Sequence, residues 1–246
     1  MSDKSVKNNK QPKPFAIILK RELKSYFTSP VAYIVMVIFL VIAGLLYFPF
    51  FFLDGVANMR QFFSFLPLYV SCFVPALTMR VYAAEKRVGS FETLMTLPVT
   101  EYDVQAGKYL ASLATTLIMI APTILYVLTL EIFGSPEYGP IIGGYIGTIF
   151  LCAAFVSIGC FASAVTNNQI VAFFVGLIIC LVLTFIDTLM IIMPAGVVNF
   201  VSYFSSRTHF NSIAKGVIDT RDIIYFLSLT ALFYVLTIKV IKKTRE

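Results

Sequence analysis

No charged side chain interrupts the 23 residues from Val31 to Leu53. That run constrains the fold more than any other feature of the chain. A bilayer core about 30 Å thick takes roughly 20 apolar residues per spanning helix, and a water-soluble core of this size has no use for so long an unbroken block. Five more blocks follow: Phe62–Met79, Tyr109–Leu130, Ile141–Val165, Ile170 to about Met193, and Ile223 to about Ile241. The second contains Pro67 and Pro75, which predict kinks. Composition agrees, with 59% hydrophobic and 13% charged residues, far from the balance of a soluble domain. The predicted fold is an all-α membrane protein with six transmembrane helices, a membrane-surface helix before them, and one structured loop.

The net charge of +6 would suit a nucleic-acid binder if it formed one patch, but its distribution argues for a membrane instead. Fifteen of the 19 Lys and Arg residues fall in the N-terminal segment, the 80–108 loop and the C-terminal end. The other set of connections holds Arg60, Arg207, Lys215 and Arg221. Basic loops stay on the cytoplasmic side, so six spans with both termini cytoplasmic fit the count, and no nucleic-acid partner is expected. The first apolar block is too long for a signal-peptide core. The expected location is a bacterial inner membrane.

The segmentation follows. Residues 1–13 are Lys-rich and read as a disordered cytoplasmic tail. In 14–30, Phe15, Ile18, Leu19, Leu23, Tyr26 and Phe27 share a helical face that Lys20, Arg21 and Lys24 avoid, as in a helix lying in an anionic headgroup plane. The transmembrane region is 31–241, and 242–246 form a second cytoplasmic tail. The external loop 194–222 mixes Phe200, Tyr203, Phe204 and Phe210 with polar residues and suggests short helices dipping into the outer leaflet.

The 80–108 loop is the most informative stretch. Tyr82 to Arg87 reads as a continuation of the second span, and Gly89 is the residue type on which helices commonly end. Ser90 can cap a second short helix, with Glu92 in its first turn. Phe91, Leu94, Met95 and Leu97 give that helix an apolar side, and Pro98 stops it. An amphipathic helix pinned between Gly and Pro suits docking into a partner's groove, and an ordinary linker between two spans fits these features equally well.

Glu85, Lys86, Arg87, Gly89, Ser90, Glu92, Leu94, Leu97, Pro98 and Val99, followed by Gly107-Lys108, make this loop resemble the signature region of ABC-2 transporter permeases. Its form is closest to permeases associated with bacterial gliding motility. The opening stretch from Leu19 to Pro30 is similar to the surface helix of the same family. The resemblance implies that residues 89–98 are a coupling helix seated on a separate ABC ATPase subunit, present in two copies. It implies Glu85, Arg87, Gly89, Glu92 and Pro98 as the ATPase-coupling element and the Thr166–Gln169 turn as a smaller contact. It also implies a second permease subunit, identical or related.

The chain itself has no phosphate-cradling loop. Its only Gly-Lys, at 107–108, is followed by Tyr109, and Tyr102 stands where the first glycine belongs. No cofactor is therefore expected on this chain, and ATP would sit on the partner; the chain is not expected to be an enzyme. Cys72, Cys152, Cys160 and Cys180 lie in apolar blocks without metal-ligand spacing and read as packing residues.

Three further features remain. Asp187 is an acid inside the fifth block and so a possible pathway residue. Its position near the outer end, with Thr184 and Thr188 nearby, favours a hydrated structural acid. Gly139, Gly143 and Gly147 form a small-xxx-small stripe that suits close helix packing within or between subunits. His209 has no catalytic partner at a recognised spacing and reads as a surface residue. The leading functional expectation is a permease coupled to a partner ATPase. The alternative is a secondary transporter driven by an ion gradient through Asp187, which lacks repeat-related broken helices in its support.

Overall fold

The computed structural model describes residues 14–54, 59–133, 137–188, 203–217 and 219–245. Among these residues the fold is helical, with no strand. Helix α1 spans Pro14–Thr28, α2 Pro30–Asp54, α3 Arg60–Thr78, α4 Ala83–Val88, α5 Ser90–Met95 and α6 Glu101–Ile120. Helix α7 spans Ile124–Phe133, α8 Tyr138–Val165, α9 Gln169–Phe185, α10 Ser206–Ala214 and α11 Thr220–Arg245. The expected tail at 1–13 and the stretch 189–202, with the end of the fifth predicted span, lie outside the described residues.

Five helical stretches are long and apolar enough to cross a membrane: Pro30–Pro49, Arg60–Val88, Glu101–Ile132, Tyr138–Val165 and Thr220–Thr244. Gln169–Phe185 is apolar but shorter. Helix α8 forms the centre of the bundle and packs against α3, α6, α9, α10 and α11. Its glycines make this possible: a Cβ on Gly144 would meet the Phe63 ring at 2.5 Å, and Gly159 lies directly against Thr78. Side chains of zero or one carbon at such crossings let backbones approach closely. Most of α2, by contrast, faces outward, with Ile34, Val37, Val41 and Leu45 exposed.

Several boundaries depart from the sequence reading. The third span starts at Glu101 rather than Tyr109, because Thr100 and Asp103 form a reciprocal capping box. It is broken at Ala121–Thr123 by a short 3-10 segment, where Pro122 cannot donate to the helical ladder. A turn at 79–82 marks off the loop helix α4 from α3 within the continuous stretch Arg60–Val88. Residues 242–245 extend α11 rather than forming a tail.

Other expectations meet a different environment. The face of α1 formed by Ile18, Glu22 and Tyr26 is buried against α6, so the centre of that face meets protein and contains a carboxylate. The glycine stripe is absorbed within the chain. Gly143 abuts the Ile213 carbonyl, and a Cβ on Gly147 would lie 3.2 Å from Ile213 and 3.3 Å from Phe210 of α10. Gly139 has open space where a Cβ would be. Thus α10, the described helix of the predicted external loop, packs its Phe210 and Ile213 on the bundle.

Candidate functional site

The 80–108 loop gathers at one end of the bundle with α1, the start of α6 and the end of α8. Gly89 lies between the two loop helices at φ 75°, a left-handed conformation that glycine adopts without a Cβ penalty. It both ends α4 and precedes α5, so Gly89 stands at the cap position expected of Ser90. Ser90 is the first residue of α5, and its hydroxyl donates to the Glu85 carbonyl at 3.3 Å.

The apolar side of α5 is turned into its own chain. Phe91, Leu94 and Met95 are buried, and Phe91 meets the Tyr82 ring edge-on at 5.9 Å. The groove that receives this apolar side is internal to the chain. What faces outward is Arg87, Val88, Gly89, Ser90, Glu92, Thr93, Thr96, Leu97 and Pro98, a mixed surface that includes the apolar Val88 and Leu97.

Beneath the loop lies a cluster of four charges drawn from three helices. Lys108 of α6 has no exposed surface, yet its Nζ sits 3.1 Å from Glu22 Oε1 and 2.8 Å from Glu85 Oε2. The same ammonium donates to the Val81 carbonyl at 2.9 Å and stands 5.2 Å from the Tyr82 ring centroid. Arg21 closes the cluster from the rim, 2.6 Å from Glu22 and 2.9 Å from Glu85. A buried charge persists only when paired and hydrogen-bonded, and here two cations meet two carboxylates. Burial alone would raise the Glu22 carboxyl; Lys108 and Arg21 outweigh it and hold it below the usual glutamate range. Gly107 brings α1 close enough for these contacts, since a Cβ there would lie 2.8 Å from Ile18 and 3.0 Å from the Phe15 carbonyl.

A second tie runs to α8. The Ser163 hydroxyl donates to the Met79 carbonyl at 2.8 Å and accepts from the amides of Tyr82 and Ala83 at 3.0 and 3.1 Å. One side chain thus satisfies three backbone groups of the turn between α3 and α4. Lys86 donates to the Ala164 carbonyl. The Thr166–Gln169 turn follows directly, with Asn168 capping α9 through a 3.0 Å bond from the Ile170 amide.

The five residues singled out in the loop therefore divide. Glu85 belongs to the internal ion cluster and Gly89 sets the break, whereas Arg87, Glu92 and Pro98 are exposed. Sequence reasoning missed Glu22 and Lys108 as partners. Their signals were present: Glu22 falls at i, i+4 between Ile18 and Tyr26 on an apolar face, and Lys108 directly precedes an apolar block.

Asp187 lies beyond the end of α9 at Phe185, with Thr188 Oγ1 3.5 Å away, while Thr184 bonds the Cys180 carbonyl. His209 is more enclosed than the surface residue expected, its side chain 12% exposed. Its Nδ1 lies 2.6 Å from Asp222 Oδ1, its Nε2 lies 3.2 Å from the Tyr203 carbonyl, and its ring stacks on Tyr225. This tie links α10 to α11 at the end of the bundle opposite the loop. Cys152, Cys160 and Cys180 are buried among the helices and Cys72 is half-buried.

A family model for ABC-2 family transporter proteins matches residues 16–244. No curated protein matches the chain. The chain belongs to the ABC-2 transporter family and is a multi-pass membrane protein of the permease type.

Proposed function

We propose that this ABC-2 family member is the transmembrane subunit of an ABC transporter and takes its driving force from separate ATPase subunits through α4 and α5. The observation that carries the reading is the two-sided loop: an inner side anchored to α1, α6 and α8, and an outer side of Arg87, Val88, Glu92, Thr96, Leu97 and Pro98 left to solvent. A surface moved by a partner transmits motion only if its far side is fixed to the spanning helices. This reading takes six spans, with Gln169–Phe185 as part of the fifth, and puts both termini and the loop in the cytoplasm; the distribution of Lys and Arg supports it. Two such subunits, each with an ATPase beneath it, enclose a path between them in the inner membrane. The motif's likeness to gliding-motility permeases favours export or work on envelope components as the output.

The test is co-purification in mild detergent followed by an ATPase assay. An ABC ATPase should accompany the tagged chain. Arg87→Ala with Glu92→Ala should remove it while leaving the thermal transition within about 0.5 kcal/mol of the parent, as befits exposed positions. Complete retention of a coupled ATPase by the double variant would refute the assignment. Absence of any ATPase from the parent would shift the case to the ion-gradient reading, for which Asp187→Asn is the next variant.

A further inference from the structure

Beside the ion cluster, an open cleft of about 460 Å³ is lined by Arg21, Lys24, Ser25, Thr28, Ser29 and Arg80. Three cations and three hydroxyls converge there, and their charges are not all matched. Arg21 is neutralised by Glu22 and Glu85. Among the described residues, neither Lys24 nor Arg80 has a carboxylate within ion-pairing distance. Arg80 is half-buried, and its described partner is the neutral Ser29 hydroxyl. Since Arg21, Glu22, Glu85 and Lys108 balance one another, the cleft retains two net positive charges. A partly desolvated guanidinium without a counter-ion is a costly arrangement that an anion relieves.

Two helix ends locate this cleft. Ser29 separates α1 from α2, whose apolar stretch begins at Pro30, and Arg80 follows α3, which ends at Thr78. Both mark the level at which spanning helices leave the hydrocarbon. Immediately below, Val31, Tyr33, Ile34, Val37 and Val41 form an exposed apolar ridge along α2. Tyr33 folds back, its hydroxyl donating to the Phe27 carbonyl at 3.1 Å and its ring meeting Phe27 edge-on, the aromatic arrangement suited to a headgroup boundary. A cationic cleft set above an apolar ridge matches a molecule with an anionic head and a hydrocarbon tail.

We infer that the cleft between α1 and the ends of α2 and α3 binds the phosphate headgroup of an anionic glycerophospholipid, whose acyl chains lie along α2. Arg80 and Lys24 hold the phosphate, the Ser25 hydroxyl supplies a neutral donor, and the ridge takes the chains. The occupant is a lipid rather than an acidic segment of a docked protein because the apolar ridge continues the site into the span. This inference does not depend on the ATPase reading.

The test uses the purified full chain in neutral detergent, titrated with phosphatidylglycerol or phosphatidylcholine, with bound lipid counted by native mass spectrometry. Phosphatidylglycerol should be retained on the order of twenty-fold more tightly, because two cations near an anionic group contribute about five-fold each. Lys24→Ala, at an exposed position, and Arg80→Gln, which keeps a donor for Ser29, should each reduce that preference about five-fold. Lys243→Ala, far along α11, should leave it unchanged. Equal retention of the two lipids would overturn the inference, as would a preference unaffected by Lys24→Ala. Displacement of the lipid by inorganic phosphate at matched concentration would also overturn it, since the site would then take a free anion. So would loss of a co-purifying ATPase in Lys24→Ala with lipid preference intact, which would make the cleft a protein contact.

Discussion

Lys108 sets its Nζ at a position without exposed surface, between carboxylates of two other helices. Replacing it with Met strands Glu22 and Glu85 against a half-exposed Arg21. Stranding a buried charge costs about 3–5 kcal/mol, so Lys108→Met should lower the unfolding free energy by about 3 kcal/mol in detergent denaturation. A Lys108→Met, Glu22→Gln double variant should be less damaged than the sum of the singles, because the charge left behind is smaller. The same pairing sets a pH dependence. Glu22 has a folded pKa below its unfolded one, so its contribution is fully present above the unfolded value near 4.3 and is lost as pH falls through the folded value. Thermal stability should show an acid limb below about pH 4, and Glu22→Gln should flatten it. An unchanged limb in that variant would assign the acid sensitivity to another carboxylate.

At the scale of single helices, the glycines of α8 give a graded set. Gly143 abuts the Ile213 carbonyl, Gly147 is tight against α10, and Gly139 faces open space. Alanine at 143 should destabilise by about 1–3 kcal/mol through overpacking, since backbone cannot yield as a flexible side chain does. Alanine at 139 should be neutral or slightly stabilising, given the better helix propensity of alanine. Thermal unfolding of the two variants side by side decides it, and equal losses would contradict the packing described. The stripe was legible in the sequence, but its partner was not: spacing says that a face is small, and only the fold says that Phe210 and Ile213 cover it. Helix α5 went the same way. Its Gly89 break and apolar positions were readable, yet Phe91, Leu94 and Met95 point into the chain because Tyr82 lies there to receive them. The capping box at Thr100 is legible too, but the uncharged block begins only after Lys108, so hydropathy alone sets the start of this span at Tyr109.

For the molecule as a whole, the long uncharged blocks were enough to place five helices long enough to cross a membrane, because hydrocarbon imposes one length scale on all of them; the block from Ile170 is described only as the shorter helix Gln169–Phe185. Their ends were less legible, since capping and turn chemistry act on the polar residues outside the blocks. The ion cluster was hidden for a related reason: Glu22 and Lys108 are 86 positions apart, and neither carries a sign of the other. The arrangement makes a prediction about sidedness. In a background with the native cysteines replaced, cysteines introduced at Ser90 and Thr244 should react with a membrane-impermeant maleimide from the same side, and one at Lys215 from the other. Reaction of Thr244→Cys from the Lys215 side would mean an odd number of crossings. The Tyr109 and Tyr234 rings meet at 5.5 Å, which sets the middle of α11 beside the middle of α6.

Helix α6 is unbroken from Glu101 to Ile120, about 30 Å at 1.5 Å per residue, and α1 grips it near one end, at Gly107. The gripping point is about 9 Å from the loop end and about 20 Å from the break at Ala121. Were the rod to pivot where α1 holds it, as an oar does in its rowlock, a displacement at Thr100 would reappear at the Ala121 break about twice as large and reversed.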